Sequence, residues 1–571
     1  MERKFMKLIV FLLFLAGLVG FINAQKVPDG YFRSPLNMPL FLSGNFAELR
    51  TNHFHSGVDF KVGGKEGAGV YAVADGYVSR IRISPWGFGK ALYIDHPNGY
   101  TSVYAHLRNF NDSLDKYSNN LQYLNQSFAI DTILKPGIFV RKGQLIGYAG
   151  NSGYSFGAHL HFEIRQTDTE KPQNPELFGF KIKDNTKPKA FELYVYPIKN
   201  FSRVNNKKYT GKFKLYGSNG LYNVGSQIIT VSGLIGLGID ANDFYDEVSN
   251  KCGIYKLSLY EDGKKIYSYK LDEFEFSDSR YLNSHIDYEM NTKDKKKINK
   301  LFIEPGNKLN IYDRDLGTGL ISVDDNKTKE IKIILEDISG NKTSVSFELK
   351  AEKSKEKYEV PESDFIIPFD SAYIIEKENF RLTIPSNSLY DTLFMKFSTE
   401  AKAGYYSLVY NIHDLYTPIH KSIELAIKPD SFIVDKEKML MVRFNSKGGI
   451  LSLGGEFLGD YIIANSSTLG SFAVYYDTVP PVIKPLNIFE GAKFVNDKKI
   501  EFKITDNLSG IQSYNGYIDE KWVKFEYDPR IAKIIYNFDE KIVKNGKKKQ
   551  LKLIVSDERN NTAKYEVSFY Y

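Results

Sequence analysis

Six of the nine histidines fall between Asn52 and Phe162, at positions 53, 55, 96, 106, 159 and 161. A core histidine is normally a singleton, so several imidazoles with an aspartate in one β region point to a metal site. The clustering also constrains the backbone. In His159-Leu160-His161 both imidazoles reach one point if the segment is a strand, because residues i and i+2 share a face. Leu160 and Phe162 then enter the core. In His55-Ser-Gly-Val-Asp59, Gly57 argues against a regular helix and for a bent lead-in that brings His55 and Asp59 around one ion. The third element is Tyr104-Ala105-His106, where extended alternation predicts Tyr104 and His106 on one face. Cys252 is the only cysteine. Thiolate zinc clusters, iron–sulfur sites and disulfide scaffolds are thereby excluded, and any metal must be held by nitrogen and oxygen.

A chain of 571 residues is too long for one domain, and 14% aromatic residues favour strands. The expected fold is mainly β: an N-terminal antiparallel sheet domain followed by about three β-sandwich-like modules. Polar, proline-stopped seams at 183–188 and 477–481 and a charge-dense stretch at 350–361 set the expected boundaries at 25–182, 188–350, 358–477 and 479–571. The second and fourth pieces share a strand, an Asp/Asn/Gly turn and a return strand, read as immunoglobulin-type modules. The third is a β module of uncertain topology. In the first piece, Asp75-Gly76 and Pro97-Asn98-Gly99 each predict a hairpin, between 70–74 and 77–83 and between 91–95 and 100–106, and only 114–125 reads as helical.

Residues 1–24 read as a secretory signal, with a basic start, 15 unbroken apolar residues from Leu8 to Ile22, and Ile-Asn-Ala before Gln25. No transmembrane anchor is expected after cleavage. The net charge of +7 falls to +5 once the three basic and one acidic residues of this segment are gone. The lysine clusters at 292–300 and 544–552 lie among turn residues and read as solvated hairpin ends, and an exported chain is not expected to have a nucleic-acid partner.

The pattern His55-x-x-x-Asp59, Tyr104-Ala-His-Leu107 and Gly150-Asn-Ser-Gly-Tyr-Ser-Phe-Gly-Ala-His-Leu-His-Phe-Glu163 resembles the lysostaphin/LytM-type zinc endopeptidases that cut peptidoglycan. The resemblance covers about a quarter of the chain. It implies His55, Asp59 and His161 as ligands of one Zn2+ and His106 and His159 as catalytic histidines. Two neutral imidazoles and one carboxylate leave zinc an open fourth position for water. Where relatives commonly have a Thr-Gly-Pro run, this chain has Ser155-Phe-Gly-Ala158, which bears on loop shape and substrate preference.

Further expectations attach to single residues. Glu163 continues the histidine face as an acceptor for an imidazole N–H or a ligand, the former being preferred. His53 reads as a groove or outer residue, and Tyr104 either orients substrate or packs. His96, beside a turn, is expected to be exposed. The glycine-rich run 63–69 is not a phosphate loop, because Gly64-Lys65 is followed by Glu66 and Asp59 stands where the leading glycine should be, and it reads as a flexible loop. The resulting functional expectation is an exported, more periplasmic than surface or extracellular, zinc endopeptidase acting on peptidoglycan peptide stems. Its β modules would bind wall, position the enzyme or recruit wall-associated proteins. The competing reading is a non-catalytic wall-binding or regulatory protein that keeps the scaffold, with an adhesive β array third.

Overall fold

The computed structural model describes residues 30–323, 327–352, 359–430, 435–494, 498–544 and 546–571. The secretory-signal reading of 1–24 lies outside them. Among the described residues, no helix is long and apolar enough to cross a membrane.

The N-terminal region is built on ten strands: β1 (Leu42–Gly44), β2 (Val58–Lys61), β3 (Gly69–Tyr71), β4 (Gly76–Ile83), β5 (Lys90–Asp95), β6 (Tyr100–Phe110), β7 (Ile130–Val140), β8 (Leu145–Ala149), β9 (His159–Gln166) and β10 (Pro172–Gln173). The main order is β1-β2-β9-β6-β5-β4-β7, with β10 on β9 and β8 bridging β3 and β6. The Pro97-Asn98-Gly99 hairpin joins β5 to β6. The hairpin expected at Asp75-Gly76 does not form: β3 pairs with β8, and β4 with β5 and β7. The Asp75 turn is committed elsewhere, its carbonyl to His96 Nδ1 at 2.9 Å and its carboxylate to the Lys142 amide at 2.6 Å. His96 is therefore buried rather than exposed, and its Nε2 meets Ser102 Oγ at 2.7 Å.

The helix α1 spans Asp112–Leu124, starting two residues before the expected 114 because Asn111 caps it and accepts the Leu114 amide. Beyond the sheet, further β modules follow: twelve connected strands within 189–351, two five-stranded sheets with a two-stranded pair within 365–476, and a four- and a five-stranded sheet within 482–570. The mainly β expectation holds. In the 292–300 lysine cluster, Lys296 and Lys300 are paired with Glu192 and Glu304 rather than freely solvated.

The apolar core runs unbroken from the N-terminal sheet into the 189–351 module, whereas the two later modules have cores of their own. Phe274 from the module lies 5.2 Å from Phe46 and 5.4 Å from Phe54. Each buried aromatic of this kind contributes about 1.5–3 kcal/mol through removal from water. Polar contacts reinforce the joint: the Phe54 amide donates to Ser279 Oγ at 2.8 Å, and Asn45 exchanges two side-chain hydrogen bonds with the Gly253 backbone, at 2.9 and 2.8 Å. The segment 45–55, which carries His55, is thus held from both sides.

Candidate metal centre

Strands β2 and β9 run antiparallel with Asp59 directly opposite His161. Cross-strand partners share a face, so register alone brings this carboxylate to this imidazole. Alternation along β9 puts His159 and Glu163 on the same face, while Leu160, Phe162 and Ile164 enter the core. His55 comes from the lead-in to β2. A Cβ at Gly57 would stand 2.2 Å from the Phe162 carbonyl oxygen, so only glycine lets the lead-in lie this close to β9.

His106 takes a different route. Tyr104 pairs with Phe162 and Ala105 with His161, so strict alternation would send His106 to the core face. Its backbone is instead left-handed, with φ of 58°, where the β5–β6 and β6–β8 registers slip. A non-glycine residue held this way costs about 1–3 kcal/mol. The result is a ring beside His159, centroids 4.8 Å apart, and 5.8 Å from that of His161. Tyr104 and His106 therefore face opposite sides, contrary to the sequence expectation. Tyr104 is fully buried, with its hydroxyl on the Val73 amide at 2.9 Å and Ser102 Oγ at 3.0 Å. It packs in the core and does not line the centre.

His55 Nε2, Asp59 Oδ1 and His161 Nδ1 form a triangle with all three sides 3.0 Å. The outward nitrogens identify what the inward ones are. His55 Nδ1 can only donate to the Asn45 carbonyl oxygen, 2.8 Å away, so in the neutral ring Nε2 is a bare lone pair. His161 Nε2 lies 2.9 Å from Glu163 Oε1, which likewise leaves Nδ1 as the lone pair of the neutral ring. Three electron-rich atoms then converge, and a positive charge is needed among them. A tetrahedral ion with bonds of about 2.0–2.1 Å would set such atoms about 3.3 Å apart, close to what is present. Two nitrogens and one oxygen suit zinc, so the residues fit the metal.

The electrostatics agree. Burial raises the Asp59 carboxyl, but His55, His159 and His161 together hold it well below the usual value. Burial lowers His161, yet hydrogen bonds to Asp59 and Glu163 prevail and lift it to about 9, so the charged ring is favoured where no metal is bound. Glu163 is held down at about 2, where Arg165 and His161 outweigh burial.

Sequence reasoning did not single out Arg50 or Asn45. Arg50 Nη2 binds Asp59 Oδ2 at 2.9 Å, which occupies the outer oxygen and leaves Oδ1 to face the imidazoles. Neither residue sits in a periodic or spaced pattern, so no local signal could have revealed it. His53 is exposed, with Nδ1 on the Thr51 carbonyl oxygen at 2.8 Å, and no hydrogen bond joins it to the triangle.

His106 and His159 flank the triangle in matching poses. His106 Nδ1 donates to the Ser152 carbonyl oxygen and His159 Nδ1 to that of Gly157, each at 2.8 Å. In the neutral tautomer of each ring Nε2 is then the lone pair, and His159 Nε2 is 3.5 Å from Asp59 Oδ1. Burial, with His161 and His159 nearby, pushes His106 down to about 3.

The C-terminal module reaches this neighbourhood. Arg530 donates to the Ser155 carbonyl oxygen in the loop before His159, Lys90 pairs with Glu526 at 3.3 Å, and Trp522 packs on Tyr123 of α1 at 5.4 Å.

Comparison with known proteins agrees with this geometry. Residues 53–175 match the model of Peptidase family M23, and residues 365–477 that of a Zu5-like domain. The DD-carboxypeptidase/endopeptidase Mpg of Neisseria meningitidis is 32% identical over 127 residues, 22% of this chain and 23% of that protein. The peptidoglycan DD-endopeptidase ShyA of Vibrio cholerae is 28% identical over 148 residues, 25% of this chain and 29% of that protein. The chain thus spans about a quarter of the length of these relatives. The lysostaphin catalytic domain of Staphylococcus simulans is 25% identical, with 24% of this chain and 87% of that structure covered and a TM-score of 0.18. The matched segment contains strands β2 and β9, and the chain carries a Peptidase family M23 domain of the lysostaphin/LytM type.

Proposed function

We propose that this protein is an exported zinc endopeptidase that hydrolyses peptide cross-links of peptidoglycan, with His55, Asp59 and His161 as metal ligands and His106 and His159 as catalytic histidines. The observation that carries the reading is the triangle of three donor atoms, each pair 3.0 Å apart. Each donor residue is anchored from behind, by Asn45, Arg50 and Glu163.

Bound zinc would supply Lewis acidity and lower the pKa of water toward about 7. The chain's residues then have distinct tasks. Glu163 and the Asn45 carbonyl fix the ligand rings so that lone pairs face inward. The backbone carbonyls of Ser152 and Gly157 fix the flanking rings with Nε2 toward the reacting groups, where each can take a proton from the nucleophile or pass one to the leaving amine. Burial and the neighbouring imidazoles favour the neutral form of His106. Once protonated, either ring stabilises negative charge developing on the attacked carbonyl oxygen.

For the β modules, the contacts of Arg530, Glu526 and Trp522 with the peptidase region support a positioning role: Arg530 braces the 151–158 loop that leads into His159, and Trp522 holds α1. Wall recruitment through these modules and a periplasmic location complete the proposal. The test is digestion of purified sacculi by the zinc-loaded full-length protein, with mass spectrometry of released fragments. Cleavage at peptide cross-links, abolished by chelation and by His161→Ala, is expected. A folded, stoichiometrically zinc-loaded protein that releases nothing from several wall types would leave the non-catalytic reading in its place.

A further inference from the structure

Two sets of carboxylates outside the metal centre share one arrangement. Asp184, Asp243 and Asp337 have oxygens all within 4.8 Å of one another, and so do Asp477, Asp506 and Asp557. Each set takes its first aspartate from the seam that leads into a β module and its last from the Asp/Asn/Gly turn of that module. The local geometry repeats. Asp337 accepts the Asn341 amide and Nδ2 at 2.8 Å each, and Asp557 accepts the Asn561 amide and Nδ2 at the same distances. Asn341 Nδ2 also reaches the Asp184 carbonyl at 3.4 Å, and Asn561 Nδ2 that of Asp477 at 3.1 Å.

Clustering alone would not define a site. The first set adds a distinct observation. Asp243 is 1% exposed, and its Oδ1 is buried without a hydrogen-bond partner, as is Asp184 Oδ2. Among the described residues, no ion pair involves Asp184, Asp243 or Asp337, Lys183 pairing with Asp246 and Glu247 instead, and two further carboxylates act on the set, Glu176 raising Asp243 and Asp246 raising Asp184. Buried carboxylates facing one another unpaired are strongly unfavourable. They require either retained protons or a cation. An all-oxygen donor set selects a hard cation. Calcium, with bonds of about 2.3–2.6 Å to six to eight oxygens, tolerates the irregular coordination that three carboxylates from separate elements supply. Magnesium, at about 2.0–2.1 Å, demands near-ideal octahedral geometry and dehydrates reluctantly.

We propose that Asp184, Asp243 and Asp337 form a calcium site that pins the seam following the peptidase domain onto the 189–351 module. The ion draws together the seam, through Asp184, the end of the long strand Thr230–Asn242, through Asp243, and the turn after the strand Thr328–Glu336, through Asp337. Glu176, on the peptidase side and hydrogen-bonded to Tyr245 at 2.8 Å, places the peptidase edge beside it. Calcium thereby stiffens the joint that also supports the His55 segment.

The experiment is calorimetric titration of the zinc-loaded full-length protein with CaCl2, with MgCl2 as comparator, alongside thermal unfolding. Calcium is expected to bind with a Kd of about 0.1–1 mM, the range of extracellular modules, and to raise the unfolding temperature. Asp243→Asn should remove one calcium equivalent and Asp184→Asn should weaken that site more than tenfold, both with zinc content unchanged. Asp184 is half-exposed, so its variant keeps the test valid if Asp243→Asn does not fold. No calcium binding at about 10 mM, equal binding of magnesium, or unchanged calcium stoichiometry and affinity in the folded variants would overturn the proposal.

Discussion

Replacing Glu163 by Gln tests whether the residues behind the proposed metal ligands matter as the geometry implies. Glu163 is wholly buried. Its Oε1 takes His161 Nε2–H at 2.9 Å and the Ser56 hydroxyl at 2.5 Å, and its Oε2 takes Arg165 Nε at 2.5 Å. Glutamine retains one acceptor oxygen. If that oxygen serves His161 and Ser56, the amide NH2 confronts the Arg165 N–H, donor against donor, in a site closed to water. Breaking a buried ion pair from one side costs about 3–5 kcal/mol, and the unfolding free energy of the metal-free protein should fall by about that amount. Separately, losing the carboxylate behind His161 weakens its basicity as a ligand. Loss of such an outer partner costs about 10–100-fold in metal affinity, or about 1.4–2.7 kcal/mol. The assay is zinc competition against a chromophoric chelator, with urea unfolding of the metal-free protein in parallel, and Glu163→Asp as the conservative comparison. A variant that is destabilised but binds zinc within twofold of the native protein would refute the argument, because Glu163 would then be a fold charge and not a support for His161.

Three further outcomes follow from the same structure. His106→Ala should keep one zinc per chain but lose about 10²–10⁴ in kcat, the usual contribution of a positioned acid–base group; loss of zinc along with activity would instead make His106 a metal-site residue. Gly57→Ala places a methyl 2.2 Å from the Phe162 carbonyl oxygen, and a destabilisation of about 1–3 kcal/mol with reduced zinc occupancy is expected, read by unfolding and metal analysis; an unaffected protein would show that the close approach is not required. In calcium-free protein, burial raises Glu176 and Asp184 to about 7, with neighbouring carboxylates adding to the effect: Asp184 and Asp337 on Glu176, Asp337 and Asp246 on Asp184. Tyr245 and the Thr186 amide oppose this only in part. In the folded state these two groups hold protons that the unfolded chain has released above about pH 4, so their contribution to stability falls as pH rises from about 4 to 7. Buried His106 and His285, held down at about 3, and His420, at about 4, contribute in the opposite sense over the same window. Urea unfolding should therefore show the native protein losing stability relative to Asp184→Asn as pH rises, and parallel profiles would contradict it.

Much of this protein is legible in its sequence because the relevant rules are local. Alternation in His159-Leu160-His161 specifies a strand with both imidazoles on one face, and Pro97-Asn98-Gly99 specifies the β5–β6 hairpin, each from a few adjacent residues. The helix was readable too, except for its cap at Asn111. What local rules do not contain is register and long-range partnership. Asp75-Gly76 looks like a hairpin turn, yet β3 finds β8 some seventy residues on, because the choice between partners depends on which pairing closes the core. The left-handed backbone at His106 reverses the face that alternation assigns, and it arises from register slips against two neighbouring strands. Arg50 and Asn45 enter the centre only because β2 lies beside β9 and the 189–351 module clamps Asn45. The types of side chain available to hold a metal were thus set by composition and spacing along the chain. Which atoms meet, which tautomers they adopt and which carboxylates stand behind them were decided by tertiary packing, since hydrogen bonds and charges act across space between strands far apart in sequence.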